Sequence, residues 1–96
     1  CLFEFQKGTY HDRYWCEDSI CLHADIFDEL KLFELFHTAL PHFDYYGRTE
    51  VHPENWEVLL LLSHNYGDEK EAVILELESW VENCFKVENA FTICGI

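Results

Sequence analysis

Between Val73 and Cys84, apolar residues recur every three or four positions: Val73, Ile74, Leu77, Trp80, Val81 and Cys84. That spacing is the period of a helix with one buried face, and Glu76, Glu78 and Glu82 fall mostly outside the stripe. Such a helix must lay its stripe on another layer, which the rest of the chain has to supply. Asp68 followed three residues later by Glu71 resembles a capping box with an acidic cap, and it predicts a helix running from Glu69.

Two further helices are predicted. Phe27, Leu30, Phe33 and either Phe36 or His37 share the helical spacing, with Asp28, Glu29 and Lys31 on the wet side. Asp25 is the expected N-cap, and Leu40 before Pro41 ends this helix, because a residue preceding proline is pushed out of the helical region. Pro53 suits the first position of the next helix. Trp56 with Val58 to Leu62 predicts that this helix is buried on most of its circumference, a buried strand being the alternative reading of the run, and Gly67 follows as a stop signal.

The remaining apolar segments are short. Leu2 to Phe5 reads as a strand, and Tyr14 to Cys16 with Ser19 to His23 reads as a hairpin around Glu17 and Asp18, the alternative being that Ser19 already caps a helix. Ala90 to Cys94 reads as a closing strand, and Phe43 to Val51 as a loop turning at Gly47. The order strand–strand–strand–helix–helix–helix–strand implies an α+β fold: a small, mainly antiparallel sheet with about three helices on one face and the last strand returning to it. Ninety-six residues form one domain, 1–96, which buries roughly 60–65% of its unfolded surface. At 49% apolar residues a core forms without a cofactor or staple, and no cofactor is expected.

Charge is the outlying property. Nineteen Asp/Glu oppose six Lys/Arg, a net charge of −13 that exceeds the magnitude of about 2–8 that solubility asks for. The acids are spread along the chain, with net −5 in residues 1–48 and −8 in residues 49–96. Nucleic acid and anionic membranes both require a cationic surface, so neither is expected as a direct partner. A basic protein is, drawn in by the field. No apolar run approaches a membrane span: the longest is Val58 to Leu62. A chain that starts at Cys1 without Met suggests a processed or trimmed start, and no signal peptide is legible. Five Cys with no compact CxxC pair are expected as reduced thiols in a cytoplasmic protein.

Catalytic patterns are missing. No P-loop, G-x-G-x-x-G or G-x-S-x-G occurs, and Ser63 and His64, adjacent on a helix, would diverge. The chain is therefore not expected to be an enzyme. His11, Cys16, Cys21 and His23 form the best metal-like cluster, but their spacing does not match the usual zinc patterns, so small core thiols and surface histidines are expected. The segment from Phe43 to Glu50 is more informative. Tyr45 and Tyr46 stand beside Asp44 in a loop, a residue pairing favoured at binding hot spots, and at least one ring is expected to join the core. Asp44, Tyr45, Tyr46 and Glu50, with Glu17 and Asp18 before the sheet, are the candidate partner-binding residues.

Two stretches carry a resemblance. One runs from Cys16-Glu17-Asp18-Ser19-Ile20 to Phe43-Asp44-Tyr45-Tyr46-Gly47, the other from Trp80-Val81-Glu82-Asn83-Cys84-Phe85 to Phe91-Thr92-Ile93-Cys94-Gly95-Ile96. In overall pattern the chain resembles the small acidic immunity proteins of bacterial contact-dependent growth inhibition and polymorphic-toxin systems. The resemblance implies a cytoplasmic antitoxin that binds and blocks a cognate toxin domain, often a basic nuclease. The alternatives are an acidic nucleic-acid mimic or an adaptor for another basic protein, and, from a different class, a small metal-dependent enzyme. Locally, Leu40-Pro41-His42-Phe43-Asp44-Tyr45-Tyr46-Gly47 is similar to a Leu-Pro…Tyr-Tyr-Gly segment of the barstar family of ribonuclease inhibitors. There an acid-rich inhibitory helix follows directly. Here Arg48 to His52 intervene before Pro53, so no contact residue is carried over.

Overall fold

The computed structural model describes residues 2–95, so the reading of Cys1 as a trimmed start and the Ile96 end of the second resembling stretch lie outside the described residues. The element order is β1 (Leu2–Lys7), β2 (Ile20–His23), α1 (Ala24–Glu29), α2 (Leu32–Ala39), β3 (Arg48–Val51), α3 (Pro53–Ser63), α4 (Asp68–Phe85) and β4 (Phe91–Gly95). The strands form one antiparallel sheet in the order β2-β1-β4-β3, the expected α+β arrangement. The first and last strands pair at its centre, with Phe3 opposite Gly95 and Phe5 opposite Ile93.

Alternation sorts the sheet into two faces. Phe3, Phe5, Leu22, Val51, Phe91 and Ile93 face the helices and are buried. Two aromatic groups fill the space between the layers. Phe3 packs on Phe27 at 4.6 Å between centroids, with Phe36 and Phe43 behind, while Phe5 and Phe91 pack with Trp56, Trp80 and Phe85. The helix read from Val73 to Cys84 is α4, and Ile74, Leu77, Val81 and Cys84 are its buried residues. Trp80 and Val73 are half-buried against the core.

The opposite face of the sheet is polar yet also buried. Glu4, Gln6, Thr92 and Cys94 have almost no exposed surface because the segment 8–19 lies over them. This corrects the expected hairpin. Tyr14 to Cys16 is not a strand, and β2 pairs with β1 instead. Trp15 takes a left-handed φ of 65°, which turns its N–H and that of Cys16 onto Glu4.

Other local readings are corrected as well. The helix expected from Asp25 to Leu40 breaks at Lys31, whose φ is 54°. At 100° per residue, an unbroken helix would aim Ala24 and Phe27 about 100° away from Leu32, Leu35, Phe36 and Ala39. The break lets both buried sets face the sheet, and it leaves Phe33, placed in the stripe by spacing, 45% exposed. His23, rather than Asp25, is the N-cap of α1. Arg48–Val51, read as loop, is the edge strand β3, with Thr49 and Val51 inward and Arg48 and Glu50 outward. α3 buries only Trp56, Leu59 and Ser63, while Leu61 is 63% exposed, because no third layer covers the outer side of the helices. α4 starts at Asp68 behind Gly67 (φ 106°) with no side-chain cap. Glu71 pairs with His64 instead of closing a capping box. The side chain that does reach back to a helix start is Asn55, whose Oδ1 accepts from the His52 N–H at 3.0 Å.

Candidate functional site

The turn between α2 and β3 is held by its own polar groups. Asp44 Oδ1 accepts from the Tyr46 N–H at 3.0 Å, the Asp44 N–H donates to Thr49 Oγ1 at 3.0 Å, and the Gly95 N–H donates to the Gly47 carbonyl at 2.7 Å. Gly95 is required for this docking: a Cβ there would stand 2.0 Å from the Tyr45 carbonyl oxygen.

The two tyrosines take opposite roles. Tyr45 packs edge-on to Phe3 at 5.1 Å and Phe27 at 5.8 Å, so one ring does join the core. Its hydroxyl donates to the Asp28 carboxylate, 3.1 Å from each oxygen. Burial, the bond to Asp28 and the charges of Asp28 and Asp25 all push the Tyr45 phenol up, so it remains a donor at neutral pH. Tyr46 is 87% exposed, 4.7 Å from the Tyr45 ring, and Phe33 lies 6.5 Å beyond Tyr45 with His37 stacked on it at 5.4 Å. The result is an aromatic strip edged by Asp25, Asp28 and Asp44.

The six sequence candidates do not form one site. Asp44, Tyr45 and Tyr46 share the turn near Gly95. Glu17 and Asp18 lie toward the opposite end of the sheet, before Ile20, which pairs with Phe5. Their side chains are exposed, and the Asp18 carbonyl accepts from Trp80 Nε1 at 2.8 Å, tying the covering segment to α4. Glu50 sits on the edge strand 3.2 Å from His52, and its carbonyl accepts from His42 Nε2 at 2.8 Å. Asp28, Phe33 and His37 were missed. Asp28 reads as a wet helix residue and Phe33 as core, and neither sequence position signals that the helix break will bring them beside Tyr45.

The charge is not evenly spread in space. Six acids lie in α4, three in α1, two in α3 and one in α2, so the helices carry twelve of the nineteen against Lys70 within them and Lys31 and Lys86 at the caps of α2 and α4. Lys7, Arg13 and Arg48 accompany the sheet and its covering segment, where Arg48 lies 4.3 Å above the Tyr10 ring. The protein's field therefore issues mainly from the helical layer and the turn beside it.

His11, Cys16, Cys21 and His23 are not brought into one metal-like group. Cys16 is buried over Glu4, His11 Nε2 donates to the Lys7 carbonyl at 2.7 Å, and Cys21 and His23 are exposed on β2. Among the described residues no group of three or more His, Cys, Asp or Glu is placed to hold a metal ion. A cleft of about 270 Å³ between Glu29–Lys31 and Tyr66–Lys70 mixes Glu29, Asp68 and Glu69 with Lys31 and Lys70. No helix among the described residues is long and apolar enough to cross a membrane.

Fold and site together define a two-layer α+β protein with an acid-rich helical layer and an aromatic turn at its margin. Comparison with known proteins finds no matching family model, no matching curated protein and no matching solved structure.

Proposed function

We propose that the chain is a cytoplasmic immunity protein that binds and blocks a cognate, basic toxin domain, a nuclease being the natural target. The observation that carries this reading is the exposed Tyr46 ring on a pinned turn beside the helices that hold most of the negative charge. Steering needs a strong one-sided field, and slow release needs a few rigid anchors. In the proposed mechanism the carboxylates take the places that substrate phosphates occupy on a cationic groove, and the aromatic turn supplies the anchor. The resemblance of two long stretches to the acidic immunity proteins supports the same reading.

The test is co-expression with the product of the neighbouring gene, where this reading places the toxin domain. A complex of the two chains on size exclusion, with loss of nuclease activity at equimolar ratio, is the expected result. Full toxin activity in the presence of excess protein would overturn it. A complex formed instead with a restriction or defence enzyme would favour the nucleic-acid-mimic alternative.

A further inference from the structure

We infer that the Tyr46 turn is an anchor site for an arginine side chain of the basic partner, with Tyr46 as the stacking ring and Asp28 and Asp44 as the flanking carboxylates. The inference rests on the basic-partner reading and gives that partner its contact chemistry.

Tyr46 contributes little to folding. Its ring is 87% exposed and packs against that of Tyr45, yet its backbone is held by the bonds to Asp44 and by the docking of Gly47 on Gly95. A large ring on a turn held by its own hydrogen bonds loses less freedom when it is covered, which is the preorganisation that favours binding. Its face carries the negative quadrupole that attracts cations. His37 already occupies one face of Phe33, so Tyr46 is the open ring of the strip.

The carboxylates choose the occupant. Asp28 receives a single hydroxyl, shared between its two oxygens, and so retains acceptor capacity toward solvent. Asp44 spends Oδ1 on the turn and keeps a second oxygen. A guanidinium is planar: it stacks on a ring while its N–H groups donate in that plane to carboxylates at the ring's edge. An ammonium does one or the other. The acidic stripe of Asp68, Glu71, Glu78 and Glu82 on α4 runs past Leu75, and the ring beside it, the His64 imidazole, is already paired with Glu71, so the stripe attracts cations without a free ring to select among them.

The test uses N-acetyl tri-arginine amide as the probe, with tri-lysine and tri-citrulline amides as controls, titrated into the ¹⁵N-labelled full chain. The expected result is saturable amide shifts at Asp28 and at 44–47 with tri-arginine, and none with tri-citrulline. Tri-lysine should bind there about threefold more weakly, and Tyr46→Ala should weaken tri-arginine by about the same factor, the size of an exposed cation–π contact. Asp28→Asn keeps an acceptor for Tyr45 and should also weaken it. Shifts centred on α4, equal affinity for arginine and lysine peptides, or indifference to Tyr46→Ala would each overturn the inference. Tri-arginine seated on the turn with no effect on the toxin would leave the anchor standing and remove the toxin reading. Toxin neutralised equally well by Tyr46→Ala would do the reverse.

Discussion

The Cys16 N–H donates to Glu4 Oε2 at 2.8 Å, and the preceding Trp15 N–H donates to Oε1 at the same distance. Two successive backbone donors thus grip a fully buried carboxylate, an anion-binding nest whose anion is the protein's own side chain. Gln6 adds a bond from Nε2 at 3.0 Å, passes a second to the Arg13 carbonyl, and accepts from the His11 N–H. The left-handed backbone of Trp15 is strain that this bonding offsets. Glu4→Gln keeps the shape but places an amide where a carboxylate oxygen faced an N–H. It should cost on the order of 2–4 kcal/mol, the loss of charged hydrogen bonds plus a stranded buried donor. Urea unfolding at pH 7 measures it, and a midpoint equal to that of the parent chain would contradict the nest.

The same carboxylate sets a pH dependence. Burial pushes the Glu4 carboxyl up, but the bonds from Gln6, Trp15 and Cys16 outweigh burial and hold it below its ordinary value of 4.5. A folded value below the unfolded one means that the group's stabilisation is complete above the unfolded value and is lost as pH falls through the folded one. Stability of the parent chain should therefore fall as pH drops below about 4.5, and the Glu4→Gln chain should fall less steeply over that window. Parallel curves of unfolding free energy against pH would show that Glu4 is not the group responsible.

Trp80 joins three parts of the fold. Its ring lies 6.2 Å from Phe5 and 5.7 Å from Phe91, and its Nε1 donates to the Asp18 carbonyl. Trp80→Ala should cost about 3–5 kcal/mol, and Trp80→Phe, which keeps most of the packing but drops the bond to the covering segment, about 1 kcal/mol. Hydrogen exchange separates the two effects: Trp80→Phe should speed exchange within 15–19 while leaving α4 protected. A Trp80→Ala chain as stable as the parent would refute the packing role.

How far the sequence foretold this structure depends on where each signal lay. α4 was legible because one face of one helix meets one core, so its period survives intact. The break at Lys31 was not, because it exists to rotate two buried sets onto the same sheet, a tertiary demand without a local marker. Glu4 sits on the face of β1 that alternation reserves for water, and only the return of the 8–19 segment buries it. Tyr45 and Tyr46 were recognisable as a pair, but which ring is core depends on Phe3 and Phe27. The hydroxyl partner of Tyr45, Asp28, lies 17 residues upstream.

Thiol reactivity should follow position. Cys16, Cys84 and Cys94 are buried and Cys21 is exposed, all four unpaired. Burial, with Glu4 nearby, pushes the Cys94 thiol up to about 11, and burial raises Cys84 and Cys21 more modestly. At pH 8 about one Cys94 in a thousand would be thiolate, so alkylation of the folded chain should mark Cys21 long before Cys94. Unfolded in denaturant without reductant, the chain should titrate five thiols, one per cysteine in the sequence. Finding a single thiol would mean two disulfides and contradict the free pairing state of these residues.

The final prediction separates steering from anchoring, and it is made for the toxin domain of the proposed function. Charges more than about 8 Å from the contact are screened at physiological salt, so distant acids act on encounter and adjacent ones on the bound state. Asp28→Asn with Asp44→Asn removes two charges while keeping an acceptor for Tyr45 and for the Tyr46 N–H, so the turn keeps its shape. This pair should raise the dissociation rate about tenfold or more, as loss of close charge pairs does. Glu76→Gln with Glu78→Gln on α4 removes the same charge outside the turn and should lower only the association rate, by a few-fold. Added salt should slow association of the parent chain and of both variants while leaving dissociation nearly constant. Stopped-flow association and dissociation rates decide the matter. If the α4 pair raises dissociation more than the turn pair does, the anchor lies on α4, and if salt leaves association unchanged, the charge of −13 is not what brings the partner in.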